Sequence, residues 1–198
     1  MRGLARDRRH TEGTQMFIQT ETTPNPATMM FLPGTPVMGT GTANFTDAAS
    51  GAGSPLARRL FAIEGVVGVF FGGDFVTVTK APDQSWELLK PFVLGAIMDH
   101  YTSGDQVIDA EVGEDGGGDG GDAIVRQIKE LIETRVRPAV AQDGGDIVFR
   151  GFEDGIVYLH MQGSCSGCPS STATLKHGIE NMLRYYVPEV QEVRPVDW

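Results

Sequence analysis

Cysteine is nearly missing from this chain: there are two in 198 residues, Cys165 and Cys168, separated by two positions. A pair so close in sequence cannot staple distant segments, so no disulfide framework carries the fold, and a reducing compartment is expected. Long apolar runs are missing as well. The longest, Phe92 to Met98, follows Pro91 and is far shorter than the roughly 20 residues that span a bilayer as a helix. Basic charge is scarce. Sixteen Lys and Arg stand against 26 Asp and Glu, a formal net charge of -10, and no basic stripe is present, which speaks against nucleic-acid binding. What remains is a chain with 40% hydrophobic residues, enough to build cores. Its length suits one large or two small domains. A soluble protein with neither membrane nor nucleic acid as partner is expected.

Both cysteines lie in Gly163-Ser164-Cys165-Ser166-Gly167-Cys168-Pro169-Ser170-Ser171. Two thiols at this spacing can converge on a metal, form a reversible disulfide, or be small apolar residues that lie close together. Gly163 and Gly167 let the backbone curl, and Pro169 suits a first helical turn. The thiols are therefore predicted in a tight loop just before a helix N-terminus, where backbone N-H groups and the helix dipole favour thiolate. Iron-sulfur clusters and structural zinc usually take about four protein ligands, and this chain has two cysteine thiols. A metal site here is completed either by histidine or by a second copy of the chain, whose symmetry would turn two half-sites into a four-thiolate set.

The chain reads as α+β, with two small α+β domains joined by an acidic Gly-rich linker. Residues 1–15 carry Arg2, Arg6, Arg8 and Arg9 without an apolar core. Asp7, Glu12 and the lack of serine fit an organellar presequence poorly. A disordered basic tail is expected, with the functional chain starting at Met16. In residues 16–104, strands are predicted at Phe17 to Glu21 and Met29 to Leu32, around the Thr23-Pro24-Asn25-Pro26 turn. Ser54-Pro55 opens a helix bearing Leu56, Leu60 and Ile63. Val66 to Phe71 and Phe75 to Lys80 form a hairpin, in which Gly72 and Gly73 are expected to take positive φ. A helix from Asp83 to Tyr101 should kink or split at Pro91. Met29, Met30 and Trp86 are core candidates.

Residues 105–122, with Glu111, Glu114, Asp115, Asp119 and Asp122 among glycines, read as a flexible tether. In residues 123–198, Ile124, Ile128, Leu131, Ile132 and Val136 mark a helix capped by Asp122 and ending near Pro138. Asp143-Gly144-Gly145-Asp146 and Glu153-Asp154-Gly155 are turns, the first with too few oxygens for calcium. Val157, Leu159 and Met161 share a strand face. After the cysteine loop, Leu175, Ile179, Met182, Leu183 and Tyr186 form a buried helix face, and Val190 to Val193 can add a last strand before Trp198.

This second domain resembles the C-terminal domain of the NifU family, on Arg137-Pro138, Asp143-Gly144-Gly145-Asp146 and the cysteine loop. Met16 to Glu21, Thr23-Pro24-Asn25-Pro26-Ala27 and Met30-Phe31 are similar to the N-terminal domain of Nfu-type proteins. The resemblance implies that Cys165 and Cys168 from two subunits bind one [4Fe-4S] cluster between them, and that the homodimer hands it to apo iron-sulfur proteins after upstream assembly factors load it. No catalysis in the usual sense is implied. The absence of further cysteine-bearing domains points to the short carrier type. A bacterial cytoplasm is the expected compartment, with the mitochondrial matrix second.

Two other readings compete. A thiol-disulfide oxidoreductase also places Cys-x-x-Cys before a helix, but Ser164 stands where thioredoxin-like motifs carry Trp, and the element order differs. Structural zinc could take four cysteines across a dimer, or Cys165 and Cys168 with His160 and His177. Both histidines read better as ordinary strand and surface residues.

Overall fold

The computed structural model describes residues 17–109, 123–166 and 169–197. The expected basic tail, most of the tether, the Asp122 cap, Gly167, Cys168 and Trp198 lie outside the described residues. Among the described residues no helix is long and apolar enough to cross a membrane.

The first unit is a five-stranded antiparallel sheet in the order β1-β2-β5-β4-β3, from β1 (Gln19–Thr22), β2 (Thr28–Leu32), β3 (Ala43–Phe45), β4 (Val66–Phe71) and β5 (Val76–Lys80). Two helices, α1 (Pro55–Phe61) and α2 (Trp86–Ser103), cover one face. Helix α1 begins where Ser54 accepts a hydrogen bond from the Ala57 amide and Pro55 occupies the first turn, a donor-free position that suits proline. Strand alternation sends Phe31, Val69, Phe71, Val76 and Val78 to that face, where they pack with Leu56, Leu60, Val93 and Ile97. Each such side chain, fully buried, stabilises by about 1.5–3 kcal/mol relative to exposure.

Three expectations are corrected here. Helix α2 runs unbroken for 18 residues through Pro91. Pro91 faces solvent, while Leu89, Val93, Ile97 and His100 are buried on both sides of it along one stripe, and packing outweighs the one hydrogen bond that proline removes. Neither Gly72 nor Gly73 has positive φ. Gly72 is needed for space, because a Cβ there would lie 2.3 Å from the Phe75 ring. Residues 105–109, assigned to the tether by composition, pack on the first unit: Arg59 pairs with Asp105 at 2.8 Å, the Asp109 amide bonds the Gly53 carbonyl, and Val107 and Ile108 lie against the core.

The second unit is a three-stranded sheet, β6 (Gly145–Glu153), β7 (Ile156–Gly163) and β8 (Glu192–Val196), with β7 in the centre, antiparallel to β6 and parallel to β8. The parallel pairing requires a crossover, which α5 (Pro169–Tyr186) supplies. Val157, Leu159 and Met161 alternate inward as the sequence predicts, and meet Ile128, Ile132, Val136, Val140, Ile179 and Leu183 in one core.

The helix before β6 does not stop at Pro138. It passes from α3 (Ala123–Leu131) through a π turn (Ile132–Val136) into α4 (Arg137–Gln142). Proline lacks the N-H that would bond Thr134 and would crowd that carbonyl, and the wider turn just upstream relieves both problems. Tyr186 is also corrected: it is 38% exposed and stacks under the Arg135 guanidinium, 4.8 Å away.

Candidate metal-ligand site at the cysteine loop

Strand β7 ends at Gly163 and α5 begins at Pro169, so the cysteine loop is the strand-to-helix junction the sequence predicts. Gly163 has φ of +63°, a left-handed conformation that glycine adopts without penalty and that turns the chain out of the strand. The Ser164 amide then bonds the Gly144 carbonyl at 3.1 Å, and the Ser164 hydroxyl donates to the Asp143 carbonyl. The turn is confined to Asp143 and Gly144, since Gly145 and Asp146 already belong to β6, and this turn and the thiol loop are thus built against each other.

Cys165 points inward. It is 6% exposed and belongs to the second core. Burial pushes its thiol up to about 11, with the charges of Asp143 and Asp146 acting the same way and a hydrogen bond with Ser164 opposing them. This runs against the expectation that the helix N-terminus favours its thiolate: the largest influence on the thiol is desolvation, which penalises the charged form. Cys168 lies outside the described residues.

The tight fit around Cys165 can be tested at Gly145. A Cβ there would lie 2.5 Å from Cys165 Sγ, 2.9 Å from the Gln162 carbonyl and 3.1 Å from the Cys165 amide. Two of these contacts are backbone, so the loop itself must shift. Gly145→Ala is expected to cost about 1–3 kcal/mol in urea unfolding, and to speed alkylation of Cys165.

Beside the loop, Arg137 forms a two-pronged pair with Asp146, Nε to Oδ1 at 2.7 Å and Nη2 to Oδ2 at 2.8 Å, and reaches Glu133 at 2.7 Å. The sequence marked Arg137 only through the family resemblance and Asp146 only as part of a turn and of that resemblance; nine positions apart, they showed no pairing signal. The histidines are placed as expected. His160 Nδ1 lies 2.9 Å from the Val196 carbonyl across β7 and β8, and His177 is exposed. Among the described residues no three of His, Cys, Asp and Glu converge on a point that could hold a metal.

Two family models match the chain: scaffold protein Nfu/NifU N terminal over residues 18–104, and NifU-like domain over residues 128–194. "NifU-like protein 4, mitochondrial" of Arabidopsis thaliana is 56% identical over 90% of this chain and 65% of its own length. "NFU1 iron-sulfur cluster scaffold homolog, mitochondrial" of Homo sapiens is 52% identical over 91% of this chain and 72% of its own. The chain therefore spans just under two thirds of the first relative. Both names carry the mitochondrial compartment, which was the second expectation; the bacterial cytoplasm finds no support in them. With both domain types matched in order and a relative more than half identical along most of its length, the chain belongs to the Nfu/NifU scaffold protein family.

Proposed function

We propose that this protein carries a [4Fe-4S] cluster between two subunits, held by Cys165 and Cys168 of each, and transfers it to apo iron-sulfur proteins. The observation that carries the reading is the donor set: two cysteine thiols in the whole chain, with Cys165 on the loop before α5 and no three-ligand cluster among the described residues. A four-iron cluster wants four thiolates, and a two-fold axis through the loop supplies them. The cluster is cargo. Its ligands sit on one short loop per subunit, so a client's thiolates can replace them one at a time by ligand exchange, with no acid-base residue required. The protein then acts as a carrier and not as an enzyme. By the compartment named for its relatives, it works in mitochondria or an equivalent reducing space, loaded by upstream assembly factors.

Iron, sulfide and zinc per chain after anaerobic reconstitution, with mass on the same sample, test this directly. About two irons per chain in a dimer are expected, because four irons are shared by two chains. His160→Ala and His177→Ala should leave that content unchanged. Zinc in place of iron, or a metal-free monomer that cycles through an internal disulfide, would overturn the proposal.

A further inference from the structure

The second face of the first sheet is not a solvent face. Met30, Phe70 and Thr77 alternate with the residues that meet α1 and α2, so they project to the opposite side. They are only 5, 1 and 1% exposed. Thr77 is the register partner of both Met30 and Phe70, which makes the three a single row across β2, β5 and β4. The second unit covers this row. Met30, Phe70 and Phe75 form a small apolar cluster with Ala141 of α4 packed against it.

The polar contacts of this face are directed at the thiol loop and its supporting turn. Thr77 Oγ1 donates to the Gly144 carbonyl at 2.8 Å, the same oxygen that accepts the Ser164 amide and closes the loop. Asn25 Nδ2 donates to the Ser166 carbonyl at 3.1 Å, while its Oδ1 is occupied by the Ala27 amide at 3.0 Å. Thr42 Oγ1 donates to Asp146 Oδ2 at 2.9 Å. At Gly163 a Cβ would lie 3.0 Å from the Phe70 ring. The first unit therefore touches the loop on both sides of Cys165, at Gly163 and at Ser166.

We propose that this face of the Nfu-type domain is a docking surface for the thiol loop, occupied here by the chain's own loop, and that it competes with a second subunit for that loop. The competition rests on the reading that two subunits share a cluster. Two copies of the loop must approach closely to present four sulfurs to one cluster, and a loop covered by the Nfu-type sheet cannot make that approach. Two of the three hydrogen bonds read backbone carbonyls, at Gly144 and Ser166, and the third reads the Asp146 carboxylate, so the surface recognises the shape of the loop more than its side chains. Docking within one chain has the advantage of a high effective concentration. Cluster loading then requires the Nfu-type domain to lift from the loop.

The test uses the full chain with Asn25→Asp and Thr77→Val. Asn25→Asp keeps the oxygen that accepts the Ala27 amide and turns a second oxygen toward the Ser166 carbonyl. Thr77→Val keeps volume and strand preference and removes the donor to Gly144. In a Cys168→Ser background, so that one thiol reports, iodoacetamide should alkylate Cys165 at least ~10-fold faster in the double variant than without it, as a local opening made easier predicts. Urea unfolding on both chains shows that they remain folded under the labelling conditions. Should the double variant unfold, Asn25→Asp alone is expected to give a smaller acceleration, ~3-fold, by the same opening argument. Equal rates in folded chains would overturn the docking surface. With both cysteines present, the double variant should take up iron and sulfide several-fold faster than the unmodified chain. Faster alkylation without faster uptake would overturn the competition. Absence of iron in both chains would overturn the carrier reading and the competition together, while the alkylation comparison still decides the docking surface.

Discussion

Serine in place of either Cys165 or Cys168 is expected to reduce iron in the reconstituted protein from about two atoms per chain to background. The effect is large because of symmetry. In a two-fold dimer one substitution removes two of the four thiolates at once, and a serine hydroxyl does not ionise near neutral pH to replace a thiolate. The fold should survive. Cys165 lies in the second core, 6% exposed, so a hydroxyl there costs about 1–3 kcal/mol of unfolding free energy, which urea titration would resolve. Iron and sulfide assays on anaerobically reconstituted Cys165→Ser and Cys168→Ser check the expectation. Full iron content in either variant would remove that residue from the ligand set.

Arg137→Ala is expected to produce the largest loss of stability, about 3 kcal/mol, the low end for breaking a buried pair because the arginine itself is partly exposed. The Asp146 side chain is 4% exposed and Arg137 30%. Without the guanidinium, Asp146 keeps the Thr42 hydroxyl and the Ile147 amide as donors but holds an uncompensated charge between the two units. Arg137→Lys should recover only part of the loss, since an ammonium cannot present two parallel N-H groups to one carboxylate. The pairing with Asp146 raises the arginine above its ordinary value, with Glu133 adding to the effect and burial opposing it. A raised value stabilises the fold below the unfolded pKa, and the contribution is lost only as pH rises through the folded one. Both lie above the usual working range, so the destabilisation should be the same at about pH 7 and pH 9. A loss under about 1 kcal/mol would mean that the pair behaves as a solvated surface bridge.

How legible the molecule was depended on the range of the interaction. Ser54-Pro55 announced α1 because a cap and a first-turn proline act within four residues. The thiol loop was placed at a strand-to-helix junction because Gly163 frees the backbone to turn and Pro169 fixes it for a first helical turn. Pro91 and Pro138 were misread for the opposite reason. Their local preference is to break a helix, and it was overridden by the stripe of Leu89, Val93 and Ile97 in one case and by the π turn at Ile132–Val136 in the other. The apolar run of Val66–Phe71 marked a strand without showing that both faces were to be covered, because a continuous run carries no period to separate them.

The sequence by itself determined the α+β character, the alternation of the strands, the turns, the position of the thiols and a count of two cysteines. All of these rest on covalent spacing, backbone preference and short-range pattern. Only the tertiary structure decided that Cys165 turns inward, that Arg137 holds Asp146, and that Met30, Phe70 and Thr77 face the second unit. Those outcomes depend on surfaces meeting across 67 positions from Thr77 to Gly144 and 141 from Asn25 to Ser166. No local pattern encodes which of two apolar faces finds a partner, because desolvation is settled by what finally packs there.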